Sequence, residues 1–384
     1  MPNLRTLNIV DTTLREGEQF AHAHFTTEQR IAIARILDEF GVEYLELTSP
    51  AASAQSAQDL KTISNLGLRA KILTHVRCHM DDARLAVENG AQGVNMLFAT
   101  SEQLREVSHG RSLDQIITEA TAVIRYLQQT GVEVRFSCED AFRTDVHDLI
   151  RIYSAIDDLG VDRIGIADTV GIATPRQVVD VVHAVRQTVR CDIEFHGHND
   201  SGCAVANALS AFEAGATHID VTVLGIGERN GITSLSGLIA RLVTLDRRYV
   251  APYRLEMLPE IDRMVADFVG IDIPFNNAIT SPTAFTHKAG MHTKAVIADP
   301  ESYEVLNPAW FGLDRTISVG SRLTGWHAVA SRANELGLVL SEAVIRSATL
   351  RLKNLADERQ LHLDEVDRLL SEIAAHPTSY ACER

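Results

Sequence analysis

The sequence predicts an α/β chain built as a (β/α)8 TIM barrel, followed by a lid segment and a small helical C-terminal subdomain. Two observations carry this. One punctuation mark recurs along the chain: an amphipathic helical stretch ends in Gly, and a short apolar strand follows within a few residues. Gly suits the left-handed residue just past a helix. Secondly, eight such strands fall between residues 7 and 223, close to the roughly 250 residues of a barrel of this kind. Runs so short and apolar read as buried parallel strands, not exposed hairpins. The alternative is a doubly wound open sheet, but no Gly-x-Gly-x-x-Gly turn follows the first strand.

In chain order, Leu7–Asp11 is the first strand, and a helix over Glu28–Phe40 leads through Gly41 to the second at Val42–Leu47. Strands three and four follow Gly67 and Gly90, ending in Leu68–Leu73 and Ala91–Leu97. A helix over Asp114–Thr130 precedes strand five after Gly131, and one over Asp145–Leu159 precedes strand six after Gly160. A helix over Pro175–Val189 leads to strand seven, Asp192–His196, and strand eight follows Gly215. Past about residue 250 the rhythm stops: Pro252, Pro259, Pro274, Pro282, Pro300 and Pro308 break up a stretch of helix and irregular chain. From Arg322 to about Ala375 the pattern is helical again. The expected division is a barrel over 1–265, a lid over 266–320 and a helical subdomain over 321–384.

The 384 residues carry a formal charge of −15, which argues against a nucleic-acid-binding surface and leaves room for local Arg and His to receive an anionic substrate. No apolar run of about 18 residues appears, so no membrane span is expected. Arg5 leads almost directly into the first strand, which predicts no signal peptide. The five cysteines (Cys78, Cys138, Cys191, Cys203 and Cys382) are odd in number, scattered and without CxxC spacing, as expected of reduced thiols in a cytoplasmic protein.

Active sites of such barrels are built at the C-terminal strand ends. Strand one ends in Asp11-Thr-Thr-Leu-Arg15-Glu16-Gly-Glu-Gln19, strand two in Thr48-Ser49 and strand three in Thr74-His75. Strand four contains Asn95. Strand five carries Arg135, Ser137 and Glu139 with one parity, and strand six ends in Asp168-Thr169. Strand seven ends in His196-Gly197-His198, whose imidazoles at i and i+2 point to one spot and offer a divalent metal two neutral ligands. An exposed histidine turn would give the same three letters, Arg135 and Glu139 would also serve as a structural ion pair, and Asp168 as a helix N-cap. The ring as a whole suits a divalent cation with a small, multiply charged carboxylate substrate. After strand eight, the Gly225–Gly231 loop offers backbone suited to cradling phosphate.

Asp11-Thr-Thr-Leu-Arg-Glu-Gly-Glu-Gln, the His-Gly-His-Asn-Asp segment, Gly225-Ile-Gly-Glu-Arg-Asn-Gly231 and His287-Lys-Ala-Gly-Met-His292 occur in this order. Together they resemble the 2-isopropylmalate synthase and homocitrate synthase family, metal-dependent barrel transferases that condense acetyl-CoA with a 2-oxo acid. Glu16, Phe20, Glu139-Asp-Ala-Phe142-Arg and the lack of a C-terminal regulatory domain resemble the branch that uses 2-oxoglutarate in lysine biosynthesis. The isopropylmalate and citramalate branches differ in the 2-oxo acid. Acyl-CoA lyases of the same barrel family carry a lid cysteine that is missing from Ser281–His292, and a non-catalytic barrel would not need the ligand set.

The resemblance implies that Glu16, His196 and His198 bind a divalent ion: Mg or Mn first, with Zn or Co also compatible. It implies that Arg15 and Gln19 lie beside the metal, and that Arg135, His75, Ser137 and Thr169 form the 2-oxoglutarate pocket. His292 would be the base acting on acetyl-CoA, with Tyr303 in the lid and Glu139 orienting it or sharing its proton. A homodimer with lids exchanged between subunits is implied too. Asn95 departs from the pattern: the lysine-pathway enzymes usually carry Asp there, which with the acid matching Glu194 accepts the amino group of the feedback inhibitor lysine. Weakened lysine inhibition, or a changed substrate range, is the expectation.

Overall fold

A computed structural model describes residues 7–376 of the chain. The chain divides between Ser281 and Pro282 into two compact units.

The first unit is a closed parallel barrel. Its strands are β1 (Asn8–Asp11), β2 (Tyr44–Leu47), β3 (Lys71–Arg77), β4 (Gly93–Ala99), β5 (Glu133–Glu139), β6 (Arg163–Asp168), β7 (Asp192–Gly197) and β8 (His218–Val221). They pair in sequence order, and β1 closes on β8 in the register Asn8 to His218. The Gly punctuation is observed at every expected place: Gly41, Gly67, Gly90, Gly131, Gly160 and Gly215 all have positive φ. The helix Thr27–Phe40 shows why the local sequence folds so. Thr26 and Gln29 form a reciprocal capping box that satisfies orphan amides at its start, and Gly41 ends it at φ 112°. Ser112 with Gln115 and Thr174 with Gln177 repeat the device at Leu113–Thr130 and Pro175–Arg186.

The interior of this barrel is charged where branched apolar side chains would ordinarily fill it. Glu46, Arg135, Arg163, Glu194, His218 and Asp220 are all at most 2% exposed. Glu194 pairs with both arginines, at 2.9 Å to Arg135 and 3.1 Å to Arg163. The Arg163 guanidinium also lies 4.4 Å from the Tyr44 ring centroid. Arg135 fits only because residue 165 is Gly: a Cβ there would lie 2.6 Å from its Nη2. Buried charges are costly unless paired, so this column holds together as a set.

The second unit carries a two-stranded parallel ladder, Thr286–His287 with Thr316–Ile317. Its helices Trp326–Glu335, Glu342–Glu358 and Leu363–Ala375 close a core around Val329, Leu352, Leu370 and Ile373. Among the described residues, no helix is long and apolar enough to cross a membrane. Cys78, Cys138, Cys191 and Cys203 are free thiols, and Cys382 lies outside the described residues.

Candidate active site

The C-terminal strand ends surround a cavity of about 260 Å³ whose lining includes Arg15, Glu16, Gln19, His75, Arg135, Ser137, Glu139, Thr169, His196 and His198, all expected from the sequence; Leu97, Ala167, Glu228 and Arg229 complete it. The parity argument for β5 holds, since Arg135, Ser137 and Glu139 reach the same cavity. Arg135 is not paired with Glu139, however. Its partners are Glu194 and, at 3.8 Å, Asp220.

At the base of the cavity the ligand atoms of Glu16, His196 and His198 all lie within 4.8 Å of one another. The two Nε2 atoms are 3.3 Å apart, and each lies 4.0 Å from a Glu16 oxygen. His196 Nδ1 donates to Asp220 Oδ2 at 2.8 Å, leaving its Nε2 lone pair facing the cavity. Burial, with the Arg15 charge close by, pushes the His196 pKa down to about 4. Burial and the neighbouring His196 push His198 down to about 4 as well. Two neutral imidazoles and a carboxylate turned on one point are a donor set that fits a divalent cation. Burial works against ionisation of Glu16, but Arg15 and the two histidines outweigh it and hold its pKa low.

Glu16 is oriented from three sides. Arg15 Nη1 donates to its Oε2, the Glu228 amide donates to Oε1 at 2.8 Å, and the Gln19 side-chain amide, turned to donate, lies 3.2 and 3.3 Å from its two oxygens. The Gly225–Gly231 loop thus commits the Glu228 amide to the ligand carboxylate. Arg229 ties this loop down through Asp200, at 2.8 and 2.9 Å, and the Thr169 carbonyl, at 2.7 Å. Asp168 accepts the amides of Ile172 and Ala173, at 3.0 and 3.1 Å. It anchors the loop there, and the cap of the next helix is Thr174.

Asn95 does not line the cavity; it is buried below, with its Nδ2 donating to Glu46 Oε1 at 2.5 Å. Glu46 also accepts from Arg15 Nε at 2.6 Å and lies 3.5 Å from His75 Nδ1. Burial, and then the Arg15 charge, lower the His75 pKa. Glu46 and Asp220, which position a cavity arginine and a ligand histidine, were not singled out. The one hint in the sequence is that each is the lone acid of a short strand (Tyr-Leu-Glu-Leu and His-Ile-Asp-Val), which does not identify its partner. Burial also pushes Glu194 up to about 8 and Asp220 up to about 6.

His292 and Tyr303 belong to the second unit, where their rings face each other at 4.4 Å between centroids. His292 lies on the helix Gly290–Ala298. Tyr303 is half-exposed.

The HMGL-like family model matches residues 6–265, and the homocitrate synthase post-HMGL domain-like model matches residues 279–360. The mitochondrial homocitrate synthase of Schizosaccharomyces pombe is 56% identical over 98% of this chain and 90% of its own. This chain belongs to the homocitrate synthase family. The cytosolic homocitrate synthase isozyme of Saccharomyces cerevisiae is 52% identical over 98% of this chain and 88% of its own. A Bacillus subtilis HMG-CoA lyase structure, at 21% identity and TM-score 0.65 over 72% of this chain and 98% of its own, shares the fold. The family is metal-dependent, in keeping with the Glu16, His196 and His198 cluster. The names correct one expectation. Four homocitrate synthases at 52 to 56% identity are called mitochondrial, beside the one cytosolic isozyme at 52%, so the cytoplasmic placement does not stand. The inference failed because reduced, scattered thiols are equally at home in a mitochondrial enzyme.

Proposed function

We propose that this chain condenses acetyl-CoA with 2-oxoglutarate and hydrolyses the resulting thioester, releasing homocitrate and CoA, the first step of lysine biosynthesis through 2-aminoadipate. The observation that carries the reading is the convergence of a Glu-His-His cluster and a buried arginine on one small cavity, in a member of the homocitrate synthase family.

Glu16, His196 and His198 would hold Mg or Mn, with Zn or Co also compatible. Bound there, the ion supplies Lewis-acid polarisation of the substrate keto group. Arg135 offers its planar fork to the far carboxylate of 2-oxoglutarate, while His75, Ser137 and Thr169 complete the walls and Arg15 and Gln19 hold Glu16 in place. A methyl group beside a thioester is a weak acid, so a positioned base is needed. His292 is our candidate to take that proton, with Tyr303 packed on its ring. Glu139 would orient His292 or share its proton; burial, and then neighbouring Asp140, raise the Glu139 pKa and so favour a carboxyl that can hold a proton. Residues 266–320 would act as a lid over the neighbouring subunit of a homodimer, with residues 321–384 as its helical support. Lysine would inhibit weakly, because Asn95 already donates to Glu46 where an inhibitor ammonium needs an acceptor.

Acetyl-CoA-dependent thiol release, followed over a panel of 2-oxo acids, tests the reading. Turnover is expected with 2-oxoglutarate. Turnover with 2-oxoisovalerate and none with 2-oxoglutarate would overturn it.

A further inference from the structure

His292 is exposed and Tyr303 half-exposed. A close-packed core holds a ring in one orientation, and neither ring has that support in the second unit. A general base nevertheless acts from a defined direction. The orientation of this pair has to come from the residues beside it.

Glu304, the residue after Tyr303, has a side chain only 7% exposed. His287 Nε2 donates to its Oε1 at 2.8 Å. Arg315 donates to both oxygens, from Nε to Oε1 at 2.7 Å and from Nη2 to Oε2. Hydrogen bonding from Arg315 holds the Glu304 carboxyl below the usual carboxylate range, so it is ionised and accepts all three N–H groups. A two-pronged arginine–carboxylate pair fixes direction as well as distance.

Both donors sit on one frame. His287 is in the parallel ladder opposite Ile317, and Arg315 directly precedes Thr316, whose partner is Thr286. The Ser318 amide donates to the His287 carbonyl at 2.8 Å, and the Thr316 amide to the Phe285 carbonyl at 2.9 Å. From His287 the chain leaves this frame. It runs through the helix Gly290–Ala298, which carries His292, and the turn Pro300–Ser302, and is fastened again at Glu304. The Gly290 amide, donating to the Leu323 carbonyl at 3.0 Å, anchors the outward limb. Glu304 anchors the returning one. Residues 288–303 are thereby closed into a loop at its root, and Tyr303, one residue from the closure, lies on His292 with 33° between the ring planes.

We propose that Glu304 is a positioning residue for the condensation: by clasping His287 and Arg315 it holds Tyr303 against His292 and so sets the direction in which the His292 imidazole faces its substrate. The proposal rests on the reading of His292 as the base.

Two measurements on the full-length protein with its cation test it. In proton–carbon spectra of the histidine rings, the His292 signal is identified by its loss in His292→Asn, and Tyr303→Leu marks its position without the tyrosine ring. Glu304→Ala is expected to move the signal most of the way to that mark, and Glu304→Gln, which keeps the length and one acceptor oxygen, to move it less. In steady-state kinetics Glu304→Ala should lower kcat at least about tenfold, with Glu304→Gln in between and KM for 2-oxoglutarate at the wild-type value. A His292 signal that stays at the wild-type position in both Glu304 variants, or in Tyr303→Leu, would overturn the proposal. So would a moved signal with kcat unchanged. Should Glu304→Ala fail to fold, Glu304→Gln decides by the same two readouts. If the wild type releases no CoA with any 2-oxo acid, the condensation reading fails separately, and the ring signal alone decides whether Glu304 holds the pair.

Discussion

Asn95 shows how much one atom exchange at a buried position can decide. Its amide nitrogen donates to Glu46, so a carboxylate in its place would face another carboxylate and require a cation or a proton between them. Asn95→Asp is therefore expected to strengthen lysine inhibition at least about tenfold, the scale of one hydrogen bond to a charged group. Inhibition titrations of both proteins measure it, and equal inhibition constants would sink the idea. At the cluster below, a cation that binds only the folded chain adds stability of about 2.7 kcal/mol at a hundredfold excess over its Kd. Manganese should raise the wild-type melting temperature, chelator should reverse the rise, and His198→Ala should show neither effect. The ring residues were legible because strand parity and the barrel's active rim both come from local pattern. Glu46 and Asp220 were not, because a lone acid in a strand of four residues does not reveal the cation opposite. The partners of Glu46, for instance, come from the loop after β1, from β3 and from β4.

At the scale of elements, the loop after β8 decides how firmly Glu16 is held. Gly231 has φ 73°, and a Cβ there would lie 1.7 Å from the Gly225 carbonyl oxygen. Gly231→Ala should displace the Glu228 amide from Glu16, costing at least about 1–3 kcal/mol of local strain. Calorimetry should show weaker manganese binding; unchanged affinity would mean that the loop does not support the ligand. The same element leans on Asp262, whose Oδ2 accepts from Thr280 at 2.5 Å and Asn277 at 2.9 Å. Its carboxyl also takes the backbone amide of Leu224, itself at φ 59°. Burial raises the Asp262 pKa from 3.8 to about 6, a difference worth about 3 kcal/mol. A raised carboxyl pKa means that the folded chain keeps a proton that the unfolded chain releases. Its stabilising contribution is full below about pH 4 and is lost as pH rises through about 6. In chemical denaturation, Asp262→Asn should gain on the wild type by about 3 kcal/mol between pH 4 and pH 7; parallel curves would refute this. Helix and strand order was legible from capping boxes and Gly stops, whereas this support was not, since Asp262 acts across 38 residues on a bent turn.

For the whole molecule, an exchanged lid makes a quantitative claim about mixing. If His292 acts on the neighbouring barrel, then Glu139→Gln and His292→Ala, each inactive alone, should regain about a quarter of wild-type activity when unfolded and refolded together, because half the dimers are mixed and one of their two sites is intact. No recovery would place the lid on its own barrel. The barrel's closing seam has a further consequence. Thr12 and Thr13 receive β8 through the Val221 carbonyl and the Val223 amide, and three residues on, Glu16 faces His196 and His198 across that seam. The cation's ligands therefore lie on both sides of the joint that closes the ring, 180 residues apart in sequence. Holding the ion with all three ligands requires the first strand joined to the eighth, so a bound ion acts as a latch on the finished ring, and a manganese-sensitive signal during refolding would report when the complete site is assembled.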